Sequence, residues 1–448
     1  MLNISEKKLE KSMMEIKVDV PLEKVENEYT QVFNKLKNLV KIDGFRKGKA
    51  PLQLVETHFK KEADQEVAEN LLKNIFLEAV KEKNLTPIAY PKYEFDKISR
   101  TEPFSFKAIF EVPPTTELGK YRGIAVEELP CALTDEDLES EMDAIRERLA
   151  KVSKKEADSA LVQNGDLARI KVKRIDDVEP AGRDGVEFKE YSIVVGKSSD
   201  ESALDKYITG MKVGEEKEID VKYPKSYYIS DLAGQKVTYH VVIAEVSSIE
   251  LPGLNDEFAK KMGYGTVDEF RSKTREYLEK YANDRSLGDA KASILKEIVG
   301  DSKFDLPESM ILNQMSDLFQ RTRESMGYTS DNLEEFARIM GMDTQSFLDR
   351  LREEATQTLK TTLALSEIAK KEELKVDENR YKEALQNLAT RNNKTLAEIE
   401  EILSKNESKK DIESELLLDN AMEFIYKNAK VKKLKPVSFK EFMEKRKK

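Results

Sequence analysis

Gly44, Phe45, Arg46, Lys47, Gly48, Lys49, Ala50 and Pro51 set an aromatic ring and three cations between two glycines and a proline. The chemistry open to such a set is docking. Guanidinium and ammonium groups suit a phosphate-rich partner, and the ring adds an apolar anchor. The glycines allow a tight, partly left-handed backbone path that β-carbons obstruct, which holds ring and charges outward. Ala50, preceding a proline, prefers an extended conformation, and Pro51 suits the first position of a helix carried by Leu52, Val55 and Phe59. Lys35, Lys37 and Lys41 lead into Arg46, Lys47 and Lys49 with only Asp43 opposing them, a basic patch on a chain of net charge −10. The bland alternative is a solvated hairpin whose Phe45 tucks back into its own core.

Other chemistries lack their residues. His58 and His240 are the only histidines, which starves most acid–base, triad and metal mechanisms. Cys131 stands alone, so one chain can build neither a disulfide nor a thiolate metal cluster, and no metal or cofactor is expected. Gly196-Lys197-Ser198 imitates the end of a phosphate-binding loop, but Tyr191 stands where that motif needs glycine. Residues 1–12 lack an apolar targeting core, and no run approaches the ~18 apolar residues of a membrane span. A cytosolic protein without a membrane partner is expected.

The docking residues need elements to position them. Met14, Ile16, Val18 and Val20 alternate as a strand, and Leu22, Val25, Tyr29, Val32, Phe33 and Leu36 form a helical stripe ahead of the basic loop. Val67, Leu71, Leu72, Ile75, Phe76 and Val80 give a second stripe, and Phe104, Phe106, Ala108, Phe110 and Val112 a half-buried strand. Pro113 and Pro114 close this α+β domain, over residues 1–114. Thr134 can cap a helix with the stripe Leu138, Met142, Ile145, Leu149 and Val152, ending in the charged run Lys151–Glu156. That linker covers 115–158. Period-two alternation then dominates 159–248, in Ala168, Ile170 and Val172, in Ile219 and Val221, and in Val237, Tyr239, Val241 and Ile243. From 249 to 448 helical spacing returns, with a turn at Lys405–Asp411 and a frayed tail at Lys445–Lys448. With 448 residues, 36% charged and 39% hydrophobic, the chain suits roughly three domains in an elongated α+β multidomain molecule.

Gly44-Phe45-Arg46-Lys47-Gly48-Lys49-Ala50-Pro51 resembles the ribosome-docking signature Gly-Phe-Arg-x-Gly-x-x-Pro of the trigger factor family, bacterial nascent-chain chaperones. Leu251-Pro252-Gly253-Leu254-Asn255-Asp256-Glu257-Phe258 and Glu373-Leu374-Lys375-Val376-Asp377-Glu378 resemble later family segments. The resemblance implies an N-terminal ribosome-binding domain, an FKBP-like prolyl isomerase domain that is small and β-rich, and an all-α C-terminal chaperone domain that includes the linker. It implies as partners the large ribosomal subunit at the tunnel exit, protein and rRNA, together with unfolded and nascent polypeptides. Roles in protein transport and cell division come with it, while a homodimer of free molecules stays open. Gly44, Phe45, Arg46, Lys47, Gly48, Lys49 and Pro51 are then the ribosome-binding residues.

An isomerase needs no nucleophile, only a dry pocket favouring the twisted amide over the planar one across a barrier of ~18–20 kcal/mol. Tyr191, Tyr227 and Tyr239 match family pocket positions, and Val195 supplies an aliphatic wall. Where the family has an apolar-Pro-Gly-Phe-Glu floor this chain has Glu201-Ser202-Ala203-Leu204-Asp205, and Val172 replaces a phenylalanine. Glu201 brings a desolvation penalty, and Leu204 offers no flat face to a proline ring. Whether the domain is an active enzyme therefore stays open, with a rate well below that of an intact member expected.

Client holding requires adaptable apolar surface, which methionine suits. Met310, Met315, Phe319, Met326, Phe336, Met340 and Phe347 are the candidates for it, although such stripes also describe plain core. No nucleotide motif is present, so ATP-independent holding is expected. Two alternatives remain: a mainly free prolyl isomerase, and a scaffold for one fixed partner.

Overall fold

A computed structural model describes residues 2–156, 161–175, 188–198, 203–225, 227, 232–405 and 408–446. Glu201 and Ser202 of the expected pocket floor, Asn406 and Glu407 of the expected turn, and Lys447 and Lys448 of the tail lie outside the described residues. Contacts divide the chain into two units, Met1–Glu128 with Gly288–Lys432 and Leu129–Leu287 with Lys433–Lys448.

The first unit begins with β1 (Asn3–Lys8) and β2 (Met13–Val20), followed by α1 (Leu22–Leu39), α2 (Leu52–His58) and α3 (Lys60–Glu82). Then come β3 (Lys92–Phe95) and β4 (Phe104–Glu111), and the four strands form an antiparallel sheet in the order β1-β2-β4-β3. Alternation along β2 and β4 turns Ile16, Val18, Phe104, Phe106 and Phe110 onto one face, where they share a core with Val25, Tyr29, Phe33, Val67, Ile75 and Phe76. Phe76 meets Phe110 edge-on at 5.1 Å between centroids. Pro51 stands one place before α2 rather than inside it, with φ −59° and ψ 139°. An extended flank there uses the fixed ring angle without asking proline for a hydrogen bond. Two short strands, β5 (Thr115–Glu117) and β6 (Ala125–Glu128), complete this segment.

The second unit starts at α4 (Asp135–Arg148), where Thr134 and Asp137 form the capping box that the Thr134 cap foreshadowed. The helix ends at Arg148, earlier than its stripe suggested. Residues 151–154 instead form β7 (Lys151–Lys154), and Val152 pairs with Ile249. The open edge of a long strand offers these backbone groups ladder partners, which outweighs a weak helical tail. That strand is the last of four: β8 (Leu167–Arg174), β9 (Lys189–Val194), the short α5 (Asp205–Ile208), β10 (Glu216–Lys222) and β11 (Lys236–Glu250). The sheet order is β10-β11-β8-β9, with β7 on the far part of β11, so the sheet begins inside the segment read as linker. α6 (Asp256–Lys261) and the first part of α7 (Val267–Asp301) follow, and Leu138 and Met142 of α4 pack with Phe258, Phe270 and Leu278.

The first unit resumes along α7 and continues through β12 (Lys303–Asp305), α8 (Glu308–Ser325), α9 (Leu333–Ile339) and α10 (Thr344–Lys371). Next come α11 (Glu378–Arg391), α12 (Leu396–Lys405), α13 (Lys409–Lys427) and β13 (Lys430–Lys433). Its core joins Ile124 and Val126 to Ile294, Ile298, Leu365, Ile368 and Ile425. The helical half thus contains two short strands where only helices were read: β12 pairs with β5, and β13 with β6. The closing α14 (Phe439–Lys445) belongs to the second unit. Among the described residues no helix is long and apolar enough to cross a membrane.

Candidate functional site

The basic loop is two consecutive turns between α1 and α2. Phe45 donates its amide to the Ile42 carbonyl at 3.1 Å, and Lys49 donates to Arg46 at 2.9 Å. Gly44 and Gly48 carry φ of +86° and +79°, the left-handed region that reverses the chain twice within five residues. A β-carbon on Gly44 would meet open space, whereas one on Gly48 would lie 3.3 Å from Asn38 Oδ1. Ile42 and Leu52 pack on the core and Ala50 is buried, so both feet of the loop are fixed. Its tip is free. Phe45 is 39% exposed, and Arg46, Lys47 and Lys49 point to solvent.

Lys35 is spent on Glu66 in an ion pair, but Lys37, Lys41, Arg46, Lys47 and Lys49 make none among the described residues. Five cations therefore keep their charge for a partner, against Asp43 alone. Leu39, the last residue of α1, is 57% exposed beside this loop and was missed as a docking candidate. Its signal was position: one step past the Leu36 end of the stripe, inside the lysine run.

The expected isomerase residues do not all converge. Tyr239 of β11 stands opposite Ile219, and its hydroxyl lies 3.0 Å from that of Tyr223. The Tyr223 ring tilts onto Tyr227, with centroids 4.6 Å apart, so Tyr223 joins two of the candidates into one aromatic group. Tyr223 was not among the candidates, although Ile219, Val221 and Tyr223 already alternate in sequence. Tyr191 sits on β9 opposite Ile170 and is 49% exposed, two strands from Tyr239 in the sheet order. Val195 is buried in the sheet core, a packing residue rather than an open wall, and Leu204 packs against the same cluster. Asp205 is buried and accepts hydrogen bonds from the amides of Gly196 at 3.0 Å and Ser198 at 3.2 Å. Its carboxylate thus holds the 196–198 turn against α5.

The candidate client-binding residues divide by burial. Phe336 and Phe347 are 0% and 4% exposed, with ring centroids 5.7 Å apart, and Phe319 closes on both. Phe336 and Phe347 are core in this arrangement. Met315 and Met340 are partly buried on that cluster, and Met310 on a neighbouring one. Met326, at the end of α8, is 50% exposed, and Leu312 and Ile339 are open to a similar degree. Leu312, Met326 and Ile339 are thus the exposed large apolar side chains of this stretch, a distinction that periodicity alone did not make. Among the described residues no group of His, Cys, Asp and Glu is placed to hold a metal ion.

Comparison with known proteins gives two family-model matches: "Bacterial trigger factor protein (TF)" over residues 2–145 and "Bacterial trigger factor protein (TF) C-terminus" over residues 266–427. The trigger factor of Halothermothrix orenii is 31% identical over 378 residues, covering 84% of this chain and 87% of its own. That of Geobacillus kaustophilus is 31% identical over 386 residues, with 85% and 89% covered. A solved structure of the trigger factor chaperone aligns over 95% of this chain and 99% of its own at 16% identity, with a TM-score of 0.49. These relatives define a multidomain protein-folding chaperone of mixed helix and strand. The chain belongs to the trigger factor family.

Proposed function

We propose that this chaperone docks on the large ribosomal subunit at the tunnel exit through the Gly44–Pro51 loop and holds emerging polypeptides there without ATP, in the cytoplasm. The observation that carries the reading is the loop tip. Phe45 stands exposed among five cations that make no ion pair among the described residues, on a turn whose feet are anchored in the core. Such a tip gives a phosphate-rich surface both charge and an apolar contact while the domain behind it stays rigid.

Holding falls to the exposed side chains of Leu312, Met326 and Ile339 along α8 and α9, with Met310, Met315 and Met340 able to repack. Charged side chains between the apolar ones keep that surface soluble and let clients leave. A weak prolyl isomerase built on Tyr223, Tyr227 and Tyr239 accompanies this function rather than leading it. Free prolyl isomerisation as the main role, or scaffolding of one partner, leaves the basic aromatic tip without a purpose.

Co-sedimentation with ribosomes tests the docking reading. The Phe45→Ala/Arg46→Ala/Lys47→Ala variant is expected to lose about tenfold or more in affinity, more steeply at low salt. Undiminished binding by that variant sinks it.

A further inference from the structure

We infer that the cavity between the turn after α10 and the first turns of α11 and α13 takes acidic, apolar segments of unfolded chains. The inference rests on the reading that this protein holds clients, and it names a class of client segment. The cavity measures about 780 Å³. Its floor is apolar: Leu374, Val376 and Leu417 with the ring of Tyr381.

Four lysines line it: Lys375, Lys382, Lys409 and Lys410. Two acids face them there, Glu378 and Glu413. Lys409 lies 3.7 Å from Glu413 and 5.6 Å from the Tyr381 ring centroid, so its charge is partly engaged. Lys375, Lys382 and Lys410 make no ion pair among the described residues, and all three are exposed. Lys409 and Lys410 also occupy the first turn of α13, where the helix dipole is positive and disfavours cations. Three unspent ammonium groups and a helix N-terminus thus reverse the sign of a chain whose net charge is −10.

Charge complementarity selects the occupant. A strongly acidic chain repels acidic clients except where its sign is locally reversed, as at the basic loop and again here, where the lysines surround an apolar cavity lining. A client segment carrying Leu or Phe between Asp or Glu residues satisfies both parts: the apolar side chain covers the floor and the carboxylates meet the rim. A bare phosphate or nucleic-acid backbone would leave the floor unused.

Fluorescence anisotropy on the full chain tests this with three labelled peptides: Leu-Phe flanked by aspartates, the same pair flanked by lysines, and aspartates flanking a serine pair. The wild type is expected to bind the acidic apolar peptide about tenfold tighter than the serine peptide, while binding of the lysine-flanked pair, which the acidic surface at large attracts, should not depend on the cavity lysines. The Lys375→Glu/Lys382→Glu/Lys410→Glu variant, altered only at exposed positions, should lose that preference while still delaying aggregation of a client without acidic segments. Equal affinity of both proteins for the acidic apolar peptide overturns the inference. So does equally tight binding of the serine peptide, which would mark a plain anion site. No delay of aggregation by either protein would instead count against client holding itself.

Discussion

Ser309 donates its amide to both carboxylate oxygens of Glu111, at 3.2 Å each, and its hydroxyl bonds the same carboxylate. Glu111 ends β4 and is only 9% exposed, while Ser309 lies in the first turn of α8. A buried carboxylate is tolerable here because a helix N-terminus supplies amide donors and a favourable dipole. A second link lies nearby in the fold. Ser12 donates its amide to Asp305 Oδ1 at 2.8 Å and its hydroxyl to the Asp305 carbonyl at 2.7 Å. Lys11 and Ser12 adopt φ of 57° and 52° to make that turn, so local strain is offset by these bonds.

Glu111→Ala is expected to cost about 1–3 kcal/mol, because it removes the acceptor and leaves buried donors unmatched. Glu111→Gln keeps an acceptor without the charge and should cost less. Urea unfolding of the three proteins measures both, and an alanine variant as stable as the wild type would refute the capping role.

The two loop glycines should act on docking more than on folding. Gly44→Ala imposes left-handed strain of about 1 kcal/mol with no clash, and Gly48→Ala adds pressure on Asn38. Ribosome affinity should fall about threefold to tenfold, more for Gly48→Ala, while the melting curve shifts little. Unfolding that tracks the lost affinity would show the glycines to be merely structural.

Where periodicity meets a large core, this fold was legible in advance. The stripes through Val25, Tyr29 and Phe33 and through Val67, Leu71 and Ile75 lie where their spacing placed them, because each faces one sheet. Val152 was misplaced because three-and-four spacing through Leu149 mimics helix, and only the distant edge at Ile249 turns it into strand. Phe336, Phe347, Leu312 and Ile339 share one kind of spacing and yet split into core and exposed positions, since exposure depends on which helices pack nearby. The Glu111–Ser309 bond joins residues 198 positions apart, beyond any local pattern. The exposed basic loop was readable as a candidate for the opposite reason: Gly44, Phe45, Arg46, Lys47, Gly48, Lys49 and Pro51 all lie within eight consecutive residues.

Acid should weaken the second unit through Asp137. Burial pushes this carboxyl up, but hydrogen bonds from Thr134 and from the amides of Phe439 and Lys440 outweigh it and hold it below the ordinary value. A depressed folded pKa contributes stability that is present above the unfolded value of ~3.9 and is lost as pH falls through the folded one. Asp137→Asn removes the titration. The wild type should lead this variant at neutral pH, and the lead should shrink below about pH 4. A lead constant from pH 7 to pH 3 in urea midpoints would exclude this carboxylate as the cause.

The aromatic group of the second unit predicts how any isomerase activity is distributed. Tyr223, Tyr227 and Tyr239 are linked by one hydroxyl contact at 3.0 Å and one ring contact at 4.6 Å, whereas Tyr191 stands apart on an edge strand. A twisted prolyl amide gains from apolar faces that exclude water, so the linked rings should matter and Tyr191 should not. On a short X-Pro peptide the wild type should turn over slowly, since Val172 and Leu204 present no aromatic face. Tyr227→Ala should remove about tenfold or more of what remains, and Tyr191→Ala less than about twofold. Equal losses from the two substitutions would disprove this division, and a wild-type efficiency near the diffusional ceiling would show that the pocket is whole without its customary phenylalanines.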